Sequence, residues 1–399
     1  MKKLTVLSLE QALSLSYATQ RCVHLGWRVI RIESTPKGGR LPGDPNRYVG
    51  KAGCSDDRRT YFVAPNVGKE AISIDLKDPR GQAVLRRIVR DLPVDVFCSN
   101  TLPKRYHELG IDYESLSALR PELIWVGISA LGPDYPDVPG YDPALQALLG
   151  YMDLTGEAQR PPQLCGVPFV DLKAGDEAFA GVCLALAELR ETGRGQRIDV
   201  SMAQAAASWL LTTLPLLDQG YAPEEVRRNG NQHREFAPVD AFPTADGFIY
   251  LAIGNDVQWQ RLVASSGFET LEKEEWRTNA GRRQDREALS AALARLTEQR
   301  STGELWKLFG AAGLVATPVQ SIGEVIEYPP VRDALLHTKT SDGQRVRLPP
   351  PSVEREHLRE RGRELPFAPE YARDNDRVLA EAGLSGAEIE ELRRDEVIT

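Results

Sequence analysis

The chain has 399 residues, more than one compact core usually serves, and 49 Lys and Arg against 57 Asp and Glu leave a formal net charge of −8. With 42% hydrophobic and 27% charged residues, this is the balance of an ordered globular protein, too acidic to wrap nucleic acid. No apolar run reaches the roughly 18 residues a membrane span needs, and Glu10 and Gln11 interrupt the apolar start. That start therefore reads as a first strand rather than a signal peptide, and the expectation is a cytoplasmic protein with no membrane partner.

In chain order, a helical pattern over Tyr17–Leu25 precedes a strand at Trp27–Ile32. A second strand falls at Ala71–Leu76, and Asp78-Pro79 opens a helix over 81–91 with Val84, Leu85, Ile88 and Val89 on one face. Strands at Val94–Cys98 and Leu123–Ile128 enclose a helix at Tyr113–Arg120. This alternation predicts an α/β protein with a parallel sheet and right-handed crossovers. A long helix over Leu172–Glu191 ends at Thr192-Gly193, Ile198–Ser201 is a strand, and Met202–Leu217 is helical. The segment Gln219–Ala237 reads as a crossing into a new unit. There, strands at Ala241–Thr244 and Phe248–Ala252 flank the turn Ala245-Asp246-Gly247, and helices cover 257–265, 283–296 and 302–312. A short strand at Gln344–Leu348 and an amphipathic helix at Asn375–Glu391 finish the pattern. The expected domains are a large α/β domain over 1–220, a small α/β domain over 221–329, and a return to the large domain over 330–399.

Cys22, Cys54, Cys98, Cys165 and Cys183 are an odd number and widely spaced, and the five His pair with nothing at ligand spacing. All five thiols read as structural, in a reducing compartment, with no metal expected. The glycine signatures of dinucleotide binding, P-loop phosphate binding and the serine nucleophile elbow are missing. The informative residue is Asp171, between Val167-Pro168-Phe169-Val170 and Ala174-Gly175. A carboxylate at a helix entrance is held ionised by the dipole and free N–H groups and can attack an activated carbonyl. The same placement also suits a plain N-cap, and spacing alone favours the cap.

Several segments in the right order resemble the family III CoA-transferases and their relatives, the α-methylacyl-CoA racemases. They are Leu25–Glu33, Asn66–Lys77, Asn100–Gly110, Gly140-Tyr141-Asp142, Thr155-Gly156-Glu157, Asp171, Thr192–Gln196 and Val200-Ser201-Met202. The resemblance implies that Asp171 is the nucleophile, passing through an aspartyl anhydride and an aspartyl-CoA thioester. It implies CoA against Asn100, with adenine near Ile74 and Lys77 and phosphates met by Lys37, Arg40, Lys104 and Arg105. It further implies an interlocked-ring dimer, and coenzyme A as a substrate rather than a permanently bound cofactor. At the place of the racemase His stands Tyr141, a poor acid–base group beside a carboxylate, so a transferase is preferred and Tyr141 is assigned to the CoA or acyl site. Where the family carries an Ala-Gly-Pro-like turn, this chain has Leu13–Tyr17. The expected activity moves CoA from an acyl-CoA such as succinyl-CoA to a carboxylic acid. A dicarboxylate acceptor is expected from cations such as Arg234, with His233 beside it. The alternatives are an acyl-CoA racemase or isomerase of the same fold, and a non-catalytic subunit paired with a homologous chain.

Overall fold

The computed structural model describes residues 3–36, 39, 41–52 and 55–399. The chain divides into two compact units: residues 1–149, 166–214 and 333–399 form the first, and 150–165 with 215–332 the second.

The first unit is built on six parallel strands in the order β3-β2-β1-β4-β5-β6, namely β1 (Thr5–Leu9), β2 (Arg28–Glu33), β3 (Glu70–Ser73), β4 (Val94–Ser99), β5 (Ile124–Ser129) and β6 (Arg197–Ser201). Its helices are α1 (Ser14–His24), α2 (Thr60–Asn66), α3 (Pro79–Asp91), α4 (Tyr113–Ser117) and α5 (Asp142–Leu148). After α6 (Tyr151–Leu154), which belongs to the second unit, come α7 (Phe169–Thr192) and α8 (Met202–Ala207). Helix α3 starts where the sequence puts Pro beside a cap: Asp78 accepts the Arg80 N–H at 2.9 Å, and Val84, Leu85, Ile88 and Val89 are buried. They join Leu7, Ile30, Ile32, Ile72 and Phe97 of the strands in one core. The central strands are apolar on both faces because helices cover both.

This strand order is that of a doubly wound sheet whose direction reverses between β1 and β4. Ligands of such sheets lie beyond the carboxyl ends of the strands at that switch point. The glycine fingerprint is absent, but the frame that usually accompanies it is present.

The expected single helix over 202–217 is broken into α8, a 3-10 segment (Ser208–Thr212) and a turn of helix at Leu214–Asp218, since Pro215 cannot donate to a continuing ladder. The C-terminal pattern likewise splits, at Gly383, into Asn375–Glu381 and Gly386–Arg394. The first of these lies along the sheet edge. The Ala71 N–H donates to Asp374 at 2.9 Å and the Ser73 N–H to Asn375 at 2.8 Å, so side chains stand in for a neighbouring strand of β3.

The second unit carries an antiparallel sheet of β7 (Val239–Pro243), β8 (Phe248–Ala252) and β9 (Val315–Pro318). It covers a core of Ile249, Leu251, Trp259, Phe268, Trp276 and Phe309. Sequence patterning places 150–165 in the first domain, but the structure groups it with the second unit. Asp153 on α6 pairs with Arg228 at 2.8 Å and Arg227 at 3.1 Å, and the Gly230 N–H donates to the Gly156 carbonyl at 2.9 Å. Arg234 donates to the carbonyls of Glu225 and Arg227, and His233 accepts the Glu235 N–H. Arg234 therefore braces its own loop and is not a spare cation. A hairpin of β10 (Leu336–Lys339) and β11 (Arg345–Leu348) returns to the first unit. Among the described residues no helix is long and apolar enough to cross a membrane.

Candidate active site

Asp171 is the third residue of α7, one turn inside the position that sequence spacing assigned to a cap. Capping comes from elsewhere. Asp142, buried at the start of α5, accepts the N–H of Val170 at 2.7 Å and of Asp171 at 3.3 Å, and its other oxygen accepts from Gln146 at 2.6 Å. A carboxylate 29 residues upstream thus satisfies donors that would otherwise be orphaned at the helix entrance. The Asp171 carboxylate is left to another task.

Its electrostatics differ from the sequence expectation of a carboxylate kept ionised by the helix. Burial pushes Asp171 up to about 7, the Asp142 charge adds to the rise, and a hydrogen bond from the Ser14 side chain opposes it. Desolvation outweighs the helix dipole here. A carboxylate poised near neutrality and half-buried is what a nucleophile needs if it is to attack and later leave.

Ser14 opens α1, which packs directly on α7. A Cβ at Gly175 would stand 2.6 Å from the Ser14 carbonyl oxygen, so the two helices meet this closely only because residue 175 is glycine. Arg21 pairs with Asp176, and its guanidinium lies 4.3 Å from the Phe179 ring centre.

A cleft of about 880 Å³ opens at the carboxyl ends of β1, β2, β3 and β4. Its walls include Leu9, Glu10 and Gln11 after β1, Ile32 to Thr35 after β2, Ile74 to Lys77 after β3, and Thr101, Leu102 and Arg105 after β4. Of the residues assigned to CoA, Ile74, Lys77 and Arg105 line this cleft. Lys104 does not line it, and pairs instead with Asp137 at 3.0 Å. Asn100 uses its carboxamide twice on Gln11, accepting its N–H at 3.1 Å and donating to its carbonyl at 2.7 Å, which ties the ends of β1 and β4 together at the switch point. Lys37 and Arg40 lie outside the described residues. Tyr141 is 73% exposed and takes no part in the core.

Beneath the cleft lies a fully buried charge network. Glu10 accepts from Lys69 at 2.6 Å, Thr19 at 2.6 Å and Ser8 at 2.8 Å. Arg31 donates to Asp44 at 3.0 Å, and Arg47 pairs with Glu33 at 2.5 Å. Lys69 is pulled down to about 8 by burial, against the opposing charge of Glu10. Among the described residues no group of three His, Cys, Asp or Glu side chains is arranged to hold a metal ion. Cys22 and Cys98 are buried thiols, Cys183 is exposed, and Cys54 lies outside the described residues.

Sequence reasoning quoted Asp142 only as part of a matching segment, without a role, and passed over Gln146 and Ser14. The first two carried a signal in the i,i+4 pair at the head of a Pro-initiated helix. Ser14 carried none, because its role depends on how α1 meets α7.

The sheet is doubly wound with a cleft at its switch point, and Asp171, at the entrance of α7, is not among the residues lining that cleft. Residues 1–375 match the CoA-transferase family III, and the chain belongs to that family. It is 32% identical over 334 residues to the succinate–glutarate CoA-transferase of Agrobacterium fabrum, covering 82% of each chain. It is 32% identical over 335 residues to the acetyl-CoA:oxalate CoA-transferase of Acetobacter aceti, again covering 82% of each. A crystal structure of a CAIB/BAIF family protein from Brucella suis superposes with a TM-score of 0.82 at 29% identity, over 95% of this chain and 98% of that one.

Proposed function

We propose that this protein transfers CoA from an acyl-CoA, with succinyl-CoA as the favoured donor, to a dicarboxylic acid, with Asp171 as the nucleophile. The observation that carries the reading is the Asp171 carboxylate, half-buried and tuned to about 7 by burial and by Asp142. The carboxylate attacks the thioester carbonyl, giving an aspartyl–acyl anhydride and free CoA thiolate. The thiolate attacks the Asp171 carbonyl carbon, releasing the donor acid and leaving an aspartyl-CoA thioester. The acceptor carboxylate attacks that thioester to form a second anhydride. The thiolate then takes the acceptor's acyl group and restores Asp171. The donor is already activated, so positioning and exclusion of water carry the chemistry. A dicarboxylate acceptor is supported by the named relatives, since glutarate and oxalate are both dicarboxylic acids.

CoA binding is assigned to the cleft, with Ile74 and Lys77 at the adenosine and Arg105 at the phosphates. Asn100 shapes the rim, and Tyr141 faces the acyl part. A second copy of the chain is the proposed partner: Trp209, stacked on Phe169 at the start of α7, and Leu184 further along that helix are large apolar side chains 52% and 67% exposed that call for cover. The buried thiols of Cys22 and Cys98 fit a reducing, cytoplasmic setting.

The test is intact-mass spectrometry after mixing with a panel of acyl-CoAs, followed by hydroxylamine trapping and peptide mapping. A hydroxamate at Asp171 supports the mechanism and identifies the donor. No adduct with any donor, accompanied by exchange of the α-proton, overturns it in favour of a racemase.

A further inference from the structure

We propose that Gln146 is a positioning residue for CoA transfer: its side-chain amide holds both of the acceptors that seat the first turn of α7, and so fixes where the Asp171 carboxylate stands. This rests on the reading of Asp171 as the nucleophile.

A helix begins with N–H groups that have no partner inside it. The first bond of the α7 ladder runs from the Leu172 N–H to the Pro168 carbonyl at 3.2 Å, so the N–H groups of Phe169, Val170 and Asp171 need acceptors elsewhere. Pro168 stands at the cap position, and its side chain accepts nothing. The Phe169 N–H goes to the Val167 carbonyl at 2.8 Å, and those of Val170 and Asp171 go to one oxygen of Asp142 at 2.7 and 3.3 Å. Two acceptors therefore serve all three donors. Gln146 touches both. Its Nε2 donates to the other oxygen of Asp142 at 2.6 Å and to the Val167 carbonyl at 3.3 Å.

The residue type suits the task. A carboxylate held at one oxygen can pivot about its Cβ–Cγ bond, whereas one held at both oxygens cannot. A side-chain amide carries two hydrogens on one nitrogen, so a single Gln can bond a carboxylate and a carbonyl together. The i,i+4 spacing on α5 sets Gln146 beside Asp142. The two are 1% and 3% exposed, so water does not stand in for either bond. The chain passes into the second unit at residue 150 and comes back at 166. The Gln146–Val167 bond joins the two sides of that excursion and registers α7 directly against α5.

Asp171 supplies one of the three seated N–H groups, so any shift of this turn moves the nucleophile with it. Misplacing a reacting group by about 1 Å costs on the order of 10²-fold in rate. No residue lining the cleft comes from α5 or α7. Loosening Gln146 therefore separates the chemistry from coenzyme A binding.

The experiment compares three variants with the wild type. Gln146→Met keeps the side-chain length and removes both donors, and Gln146→Glu sets two carboxylates against each other. Gln146→Glu/Asp142→Asn exchanges donor and acceptor between the two positions. Hydrogen–deuterium exchange of the Val170 and Asp171 amides is followed by mass spectrometry, and affinity for free coenzyme A by calorimetry. Acylation of Asp171 in a single turnover is followed by hydroxylamine trapping, using the acyl-CoA that labels the wild type. In Gln146→Met the two amides exchange about tenfold faster or more. Acylation slows roughly 10²-fold, while affinity for coenzyme A stays within about twofold of wild type. The double variant is faster than Gln146→Glu by about tenfold. Unchanged exchange at the two amides overturns the proposal, as does a loss of coenzyme A affinity in step with the rate, or a double variant no faster than Gln146→Glu. Should the methionine variant not fold, Gln146→Glu and the double variant carry the same readings. A wild type that no acyl-CoA labels removes the nucleophile reading instead, and exchange at the two amides then decides whether Gln146 seats the helix.

Discussion

The backbone N–H of Asp171 donates to the carboxylate of Asp142 at 3.3 Å. One buried acid thus seats the helix that carries another, and the same acid raises the other's proton affinity. The two effects separate on substitution.

In Asp142→Asn an amide oxygen still accepts from Val170 and Asp171, but the negative charge is gone. The reactive form of Asp171 is the carboxylate, so kcat/KM of the wild type declines below about pH 7 as Asp171 takes up a proton. Without the Asp142 charge Asp171 stays ionised to lower pH, and the acid limb of the profile moves down by roughly half to one pH unit. Asp142→Ala instead strands the two N–H groups and costs about 1–3 kcal/mol of stability. The pH profile of kcat/KM and a denaturant titration read the two outcomes.

The cations around the β4 loop divide by what they face. Lys77 and Arg105 line the cleft, whereas Lys104 pairs with Asp137 away from it. Lys77→Ala and Arg105→Ala are expected to raise KM for acyl-CoA about tenfold each with kcat little changed, the mark of lost uniform binding. Lys104→Ala is expected to change KM less than about twofold, since an exposed pair contributes little. Equal effects from all three would relocate the phosphates.

Glu10 and Lys69 are both fully buried, and they meet at 2.6 Å. Glu10→Gln leaves the Lys69 ammonium and the Arg31 guanidinium without that charge and is expected to cost roughly 3–5 kcal/mol. In Glu10→Gln/Lys69→Met most of that loss returns, because no stranded ammonium remains. A double-mutant cycle in denaturant checks it, and a double variant no better than Glu10→Gln would show that the pair matters through something other than buried charge.

The sheet was legible because its strands announce themselves. Val94–Cys98 and Leu123–Ile128 each fall within a residue of β4 and β5, since strands buried on both faces need unbroken apolar runs. Asp171 stood out through its small-residue helix and the family resemblance. Strand order did not, because nothing local distinguishes a strand that neighbours β1 from one that neighbours β5. The proton affinity of Asp171 was misjudged for a related reason: a dipole can be inferred from sequence, whereas desolvation and the approach of Asp142 depend on the tertiary packing. The role of Arg234 failed similarly, as backbone carbonyls leave no trace in a residue pattern.

The edge of the main sheet carries a further implication. Strand β3 has its outer N–H groups met by Asp374 and Asn375, 303 residues after Ala71 in the case of Asp374. At about 5–20 residues per second of synthesis, the nascent chain holds that edge bare for roughly 15 to 60 seconds. An unpaired edge is a template for the wrong partner. That edge is therefore open to mispairing through most of synthesis, with the second unit emerging during the wait.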